Sequence, residues 1–263
     1  MKLVFVDESS DAHNTDYLGV CAALIDSSKY GELKREYLSK ITRFGWDKSI
    51  EFKGTMIFSQ SQGCPSVTVE QRIELTKEII AMNTSASNSR IRFCYASSTG
   101  GSTNESYLRL VSVAVSSVLG TSTTTKGGKD VVSICFDQRS DVNATGLRMR
   151  IEPILQRKRL ILFEDVILSR SGTETIGLCY ADIVAYLMSR KDNIEVNHGR
   201  IEDLDPVATR TNGQMRKLLA STEIVGMIRS IRMIPVIGTI DVDTNGRIQP
   251  NARSRDQLAG RGR

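Results

Sequence analysis

Histidine is scarce in this chain. Only His13 and His198 occur in 263 residues, both in polar stretches that read as solvated, so a histidine-rich metal centre is excluded. The five cysteines (Cys21, Cys64, Cys94, Cys135 and Cys179) include no close pair. They offer neither a zinc-ligand spacing nor a disulfide framework, and most sit in apolar runs where a thiol behaves as a small buried hydrophobe. No stretch approaches the ~18 consecutive apolar residues of a membrane span. The N-terminus lacks the basic, apolar and small-residue regions of a signal peptide, so the expected location is the cytoplasm. Gly127-Gly128 is not followed by the Lys-Ser/Thr of a phosphate-binding loop, which removes that route to nucleotide binding.

What remains is an ordinary globular composition, 40% hydrophobic and 25% charged. The length suffices for one large domain, or for one domain plus an appendage. The net charge of +5 and pI near 9.0 are compatible with a nucleic-acid partner. With so little histidine, any metal would be held by oxygen, which favours Mg²⁺ or Mn²⁺.

Hydrophobic periodicity predicts alternating strands and helices. An apolar strand at Leu3–Val6 and a second at Tyr17–Ile25 read as a hairpin. Asp26-Ser27-Ser28 is expected to supply the N-cap of a helix over 29–42, which Gly45-Trp46-Asp47 ends. Further helices are expected over 69–82, 107–119, 145–156 (interrupted by Pro153) and 176–190. Strands are expected over 90–96, 131–136 and 160–168, with Glu164 and Asp165 marking an edge or a bulge. In the helix over 69–82, charges mixed with Ile73, Ile79 and Ile80 suggest a solvated face. Residues 191–215 are polar and turn-rich, Lys217–Ile234 has helical and strand-like apolar content, and 247–263 form a basic, disordered tail.

Carboxylates recur at the ends of buried elements. The first strand runs into Asp7 and Glu8, and the strand ending at Phe136 runs into Asp137. Alternation turns Glu8 away from Asp7, outward to solvent. Asp182 lies in the run Leu178-Cys-Tyr-Ala-Asp-Ile-Val-Ala-Tyr-Leu-Met188. Its helical neighbours are Leu178, Cys179, Ala185 and Tyr186, none of which can neutralise an acid. Either Asp182 is a buried acid satisfied by a backbone amide or an arginine from elsewhere, or it faces a functional cleft. Likewise Asp7 and Asp137 either cap turns or meet at one sheet edge. Glu51 on its own residues reads as a surface acid paired with Lys53. Clustered carboxylates repel unless cations relieve them, and two metals on shared carboxylates suit phosphoryl displacement.

Four short motifs, in order, carry a resemblance: Val6-Asp7-Glu8-Ser9, Glu51-Phe52-Lys53, Phe136-Asp137 and Gly177-Leu178-Cys179-Tyr180-Ala181-Asp182. Together they resemble the family labelled domain of unknown function 3800, which is similar to ribonuclease H-like nucleases. The likeness covers roughly residues 1–190. Ser10 and Cys179 depart from the Gly and Gln that the family often has there. The resemblance implies an α/β fold, a ribonuclease H-like mixed sheet with flanking helices, and metal ligands at Asp7, Glu51, Asp137 and Asp182. The resulting expectation is a ribonuclease H-like domain (1–190), a C-terminal extension packed on it (191–246) and the tail (247–263). The expected function is a Mg²⁺- or Mn²⁺-dependent nuclease acting on DNA or RNA, with Lys53 and Arg139 as substrate contacts and no membrane partner. The alternative is a non-catalytic nucleic-acid-binding module on the same fold.

Overall fold

β1 (Lys2–Asp11) and β2 (Asn14–Asp26) form an antiparallel hairpin in the computed structural model of the chain. The structure describes residues 1–11, 14–59, 62–82, 90–99, 103–120, 130–170, 172–173, 175–198, 223, 225–229, 231, 233, 240–242 and 248–250. β3 (Ile91–Ser98) adds antiparallel to β2, and β4 (Asp130–Asp137) adds parallel to the other side of β1. β5 (Leu160–Leu162) extends the sheet parallel to β4, giving the order β3-β2-β1-β4-β5. The result is a mixed sheet with helices on both faces.

Strand alternation divides the core in two. Val4 and Val6 of β1, with Val132, Ile134 and Phe136 of β4, face α3 (Asn104–Leu119) and α4 (Ala144–Arg157). Leu3, Phe5 and Cys135 face the opposite layer of α1 (Ser27–Arg43), α2 (Val69–Ala81) and α5 (Ile176–His198). Leu33, Tyr37 and Ile41, at helical spacing on α1, have no exposed surface. Burying one large apolar side chain of this kind contributes about 1.5–3 kcal/mol. α5 lies close on β1 because residue 177 is glycine: a Cβ there would stand 2.2 Å from the Phe5 ring.

Several elements differ from the sequence expectation. Asp26 makes no side-chain cap to α1; instead the Ser27 N–H donates to the Met1 carbonyl at 3.2 Å. Thr68 and Gln71 supply α2 with a reciprocal capping box. α4 continues through Pro153 to Arg157. Pro153 is exposed, so the helical hydrogen bond it cannot donate is lost on the wet side. The single strand expected over 160–168 is two, β5 and β6 (Ile167–Ser169), both parallel to β4. Glu164 between them, at φ +59°, turns the chain off the sheet.

α5 continues past the expected end at Arg190 to His198. Residues 225–229 are helical, Met227 and Ile231 are buried in the α5-side core, and Met233 bridges to Phe93. β8 (Ile248–Pro250), in the stretch expected to be disordered, pairs with β7 (Ile240–Val242). The rest of that basic tail, His13, the side chain of His198 and the loop over 121–129 lie outside the described residues.

Candidate active site

Register explains why two of the acids are neighbours. The last β1–β4 pair is Val6 with Phe136, so Asp7 and Asp137 are the next residues of adjacent parallel strands, roughly 4.8 Å apart as strands go. Alternation places both on the face of Phe5 and Cys135, beneath α5. Gly177 rests on Phe5. From there five residues of helix rise about 7.5 Å, close to the two-residue step of about 6.7 Å from Phe5 to Asp7. Asp182 is thereby carried along with Asp7.

The electrostatics agree with this placement. Asp7 is 5% exposed. Burial first, then the charges of Asp182, Glu8 and Asp137, push its carboxyl well above the usual range, and the Glu8 N–H only partly offsets this. That N–H donates to Asp7 Oδ1 at 2.7 Å. Burial likewise raises Asp182 to about 6, with Glu51 and Asp137 adding to it and the Gly54 N–H and Lys53 opposing.

Glu51 arrives on a loop. The Trp46 indole N–H donates to the Ile50 carbonyl at 2.7 Å, and Trp46 meets Phe52 edge-on at 4.8 Å. Gly54 then packs under α5, where a Cβ would come within 2.4 Å of Tyr186 Cβ. Its N–H donates to Asp182 Oδ2 at 2.5 Å. The backbone amide that could satisfy Asp182 is therefore present, and it comes from the loop that carries Glu51. Glu51 does pair with Lys53, at 3.2 Å, but it is no surface acid: its side chain is 15% exposed. Its Oε1 is buried and without a hydrogen-bond partner.

Lys53 reaches back into this group. Burial alone would lower it, but the charges of Glu51, Asp182 and Asp137 together raise it. Arg139 goes elsewhere. It pairs with Glu8 at 3.1 Å and Asp141 at 2.8 Å, and its guanidinium lies 4.5 Å from the centre of the Tyr107 ring. Glu8 points away from Asp7 as alternation requires, yet it is not solvated; burial raises it to about 6, with Arg139 opposing. Cys179, one turn before Asp182, is fully buried, and its thiol donates to the Gly172 carbonyl at 3.5 Å.

Two contributors escaped sequence reasoning. The Gly54 N–H carries no side-chain signal, although a glycine directly after the motif is a cue for close packing. Arg72 looked like part of the solvated face of α2 but is 5% exposed. Its guanidinium donates to the carbonyls of Met56, Ser59, Gln62, Cys64 and Val67, and it lies 5.9 Å from the centre of the Trp46 ring.

The donor chemistry suits a hard divalent cation, since every candidate atom is a carboxylate oxygen and Glu51 Oε1 lacks a partner. The acids nevertheless form an electrostatic group rather than a closed ligand shell. Among the described residues, no three Asp, Glu, His or Cys side chains stand close enough to hold one ion.

No family model matches the chain, and no curated protein does. Among solved structures it is similar to a mutant of Bst-RNase HIII (10% identity, 86% of this chain and 69% of that one, TM-score 0.43). It is also similar to ribonuclease H2 from Pyrococcus horikoshii OT3 (18% identity, 86% and 99%, TM-score 0.40). A third likeness is to RNase HII from Archaeoglobus fulgidus in its complex with PCNA (14% identity, 88% and 92%, TM-score 0.39). All three likenesses are remote. Among the described residues, no helix is long and apolar enough to cross a membrane.

Proposed function

We propose that this protein is a Mg²⁺- or Mn²⁺-dependent phosphodiesterase acting on DNA or RNA. One observation carries the reading: Asp7 at a strand end and Asp182 on the helix above it are buried beside other acids, and burial together with those charges holds both carboxyls above their usual range. A scaffold has no use for such an arrangement, and perturbed carboxylates concentrate at functional sites. The four-motif resemblance supports the same reading.

Asp7, Glu51, Asp137 and Asp182 would hold the cations. When bound, a divalent ion supplies charge neutralisation at the phosphoryl oxygens and activation of the attacking water. The Gly54 N–H fixes the orientation of Asp182. Lys53 balances the carboxylates and, 41% exposed, can turn outward to a substrate phosphate. Arg139, held by Glu8 and Asp141, supports the end of β4 next to Asp137 rather than reaching substrate.

The test uses the full chain with end-labelled RNA, DNA and hybrid substrates. Mg²⁺ or Mn²⁺ should support cleavage, and Ca²⁺ should bind without efficient turnover, because its looser geometry misplaces the water. Cleavage that persists in excess chelator, or in Asp7→Asn, would sink the proposal.

A second reading has its own support. With Lys53 among the acids and no three of them close enough for an ion, the chain could bind nucleic acid without cutting it. Salt-sensitive binding with no cleavage under any metal would select that reading.

A further inference from the structure

α5 is buried almost all round. From Ile176 to Arg190 only Asp182, Tyr186, Met188 and Arg190 are partly exposed rather than buried. A step of four residues rises about 6 Å and turns about 400°, so it advances only about 40° around the axis. Asp182, Tyr186 and Arg190 therefore lie on one line about 12 Å long, and Met188 lies on the opposite side of the helix. The opening along this part of α5 runs from an acid through an aromatic ring to an arginine.

This line joins the acid group directly. The Gly54 N–H donates to Asp182 Oδ2 at 2.5 Å. The same glycine lies beneath Tyr186, where a Cβ would stand 2.4 Å from Tyr186 Cβ and 2.9 Å from its Cγ. Phe58 backs the Tyr186 ring, with ring centres 6.4 Å apart and planes at 30°. Phe58 is held in turn, because the Arg72 guanidinium donates to the carbonyls of Met56 and Ser59 on either side of it, at 3.1 and 2.6 Å. Burial raises the Tyr186 hydroxyl above its usual range, Arg190 opposes this and Asp182 adds to it, so the ring stands between the two charges. Among the described residues Arg190 makes no ion pair or hydrogen bond, and its Nε is buried without a partner.

An aromatic pair at the rim of a core is ordinary by itself, and so is an arginine without an acid. Their line with Asp182 is what gives them a use. A strand with one phosphodiester at the acid group would set its next base over Tyr186 and its next phosphate toward Arg190. An aromatic face accepts any base, but only a base freed from its duplex neighbours can lie on it. The planar guanidinium suits the paired oxygens of a phosphate.

We propose that Tyr186, backed by Phe58, and Arg190 form a nucleotide subsite that receives an unpaired base and its phosphate beside the acid group, which makes single-stranded nucleic acid the substrate class. The proposal rests on the nuclease reading for what happens at the acids, but binding at the subsite does not.

The experiment measures fluorescence anisotropy of a labelled single-stranded oligonucleotide, and of the duplex of the same sequence, with the full chain in chelator over a salt series. Cleavage with Mn²⁺ is measured separately. Wild type should bind the single strand several-fold more tightly than the duplex. Tyr186→Leu should weaken single-strand binding at least about fivefold, the loss of one stacked base, and Tyr186→Phe, which keeps the ring, should bind as wild type. Arg190→Gln should bind more weakly, with a log–log salt slope shallower by about 0.7, one phosphate contact on a single strand. Arg92→Gln, on the opposite face of the sheet, should leave the slope unchanged. Should Tyr186→Leu melt early, the Arg190→Gln slope and the Tyr186→Phe affinity decide. No single-strand binding by wild type, equal or tighter duplex binding, a loss in Tyr186→Phe as large as in Tyr186→Leu, an unchanged slope in Arg190→Gln, or an equal drop in Arg92→Gln overturns the subsite. Weaker binding in both Tyr186→Leu and Arg190→Gln, with no cleavage by wild type, leaves the subsite standing and removes the nuclease reading. Wild-type cleavage with unchanged binding in both variants does the reverse.

Discussion

Asp7 and Glu8 are consecutive acids on one strand, and the two faces of the sheet treat them oppositely. Glu8 turns toward α3, where Arg139 meets it and Tyr107 stacks on that arginine. Asp7 turns toward α5, where its neighbours are Asp182 and Asp137. Both are raised by burial, but only Glu8 is given an arginine. On the α3 face Arg139 is packed and shared between Glu8 and Asp141, and it satisfies one oxygen of Glu8 while Oε2 stays buried without a partner. On the α5 face Asp7 and Asp182 are raised by burial and by neighbouring acids, and Lys53 and the Gly54 N–H offset part of this at Asp182. The two acids thus differ in kind: Glu8 is met by an arginine, whereas the charges that weigh most on Asp7 are those of other acids.

The sharpest way to break this comparison is Asp182→Asn. The amide oxygen can still accept the Gly54 N–H, while one negative charge leaves the group. Cleavage should fall by two or more orders of magnitude, a loss of about 2.7 kcal/mol or more at 1.36 kcal/mol per tenfold. The melting temperature in chelator should hold or rise, because repulsion is relieved. A clear loss of stability without metal would mean that Asp182 is a structural acid.

Arg139→Met tests the other face and should do the opposite. It strands Glu8, whose side chain is 20% exposed, and removes the contact with Tyr107. Breaking a fully buried pair costs ~3–5 kcal/mol; partial exposure should reduce that to about 2–3. Glu8→Gln in the same chain should restore part of the loss. An Arg139→Met protein that melts normally but no longer binds nucleic acid would move this arginine to the substrate side, as its sequence position first suggested.

Sequence made the acids legible because each sits at the end of a local apolar pattern. Asp7 and Asp137 end strands, and Asp182 interrupts an apolar helix. Local pattern could not show that Glu8 would be covered, since its partner lies 131 residues away. Nor could it show that Glu51 would be pulled in from the surface, because Trp46 and Gly54 decide that through contacts made only in the fold. Arg72 shows the same limit: among mixed charges it reads as wet, and only the loop folded over it reveals otherwise. The split of β5 from β6 depends on a left-handed residue, Glu164, which composition does not favour there. The opening hairpin was legible because strand alternation and length are local properties; the sheet order was not, because it rests on pairings between strands far apart in the chain.

pH separates the faces less sharply, but its sign is diagnostic. Asp182 and Glu8 are raised to about 6 from 3.8 and 4.5, and Asp7 is raised as well. The folded chain therefore holds more protons than the unfolded chain between those values. The stabilisation is fully present below the unfolded values and is lost as pH rises through about 6. In chelator the protein should melt higher at about pH 5 than at about pH 7.5, by on the order of 1–3 kcal/mol of stability. Asp182→Asn should shrink that gain. A lower melting temperature at the acid end would contradict the crowding of carboxylates on the α5 face.

The smallest expected effect is at Lys53. If its ammonium stands in for a cation, Lys53→Met should tighten Mn²⁺ binding several-fold, about 1 kcal/mol, by removing a competitor. Titration of the free-ion electron paramagnetic resonance signal measures this directly. Unchanged affinity would show that the lysine and the metal do not share the acids.

The carbonyl cage around Arg72 bears on how this face opens and closes. The described residues between Met56 and Val67 have little regular structure, and such segments ordinarily fray residue by residue. Here five of their carbonyl oxygens converge on one guanidinium. No one of them can depart far without leaving a buried cation short of an acceptor. The segment should therefore come loose all at once or not at all, with its amides sharing one opening free energy and one exchange rate. Its reporter would be α2, because the guanidinium cannot be in place before that helix is. The border of the site nearest Glu51 would then be among the last parts of the chain to become ordered, and would thereafter be as firmly set as a helix.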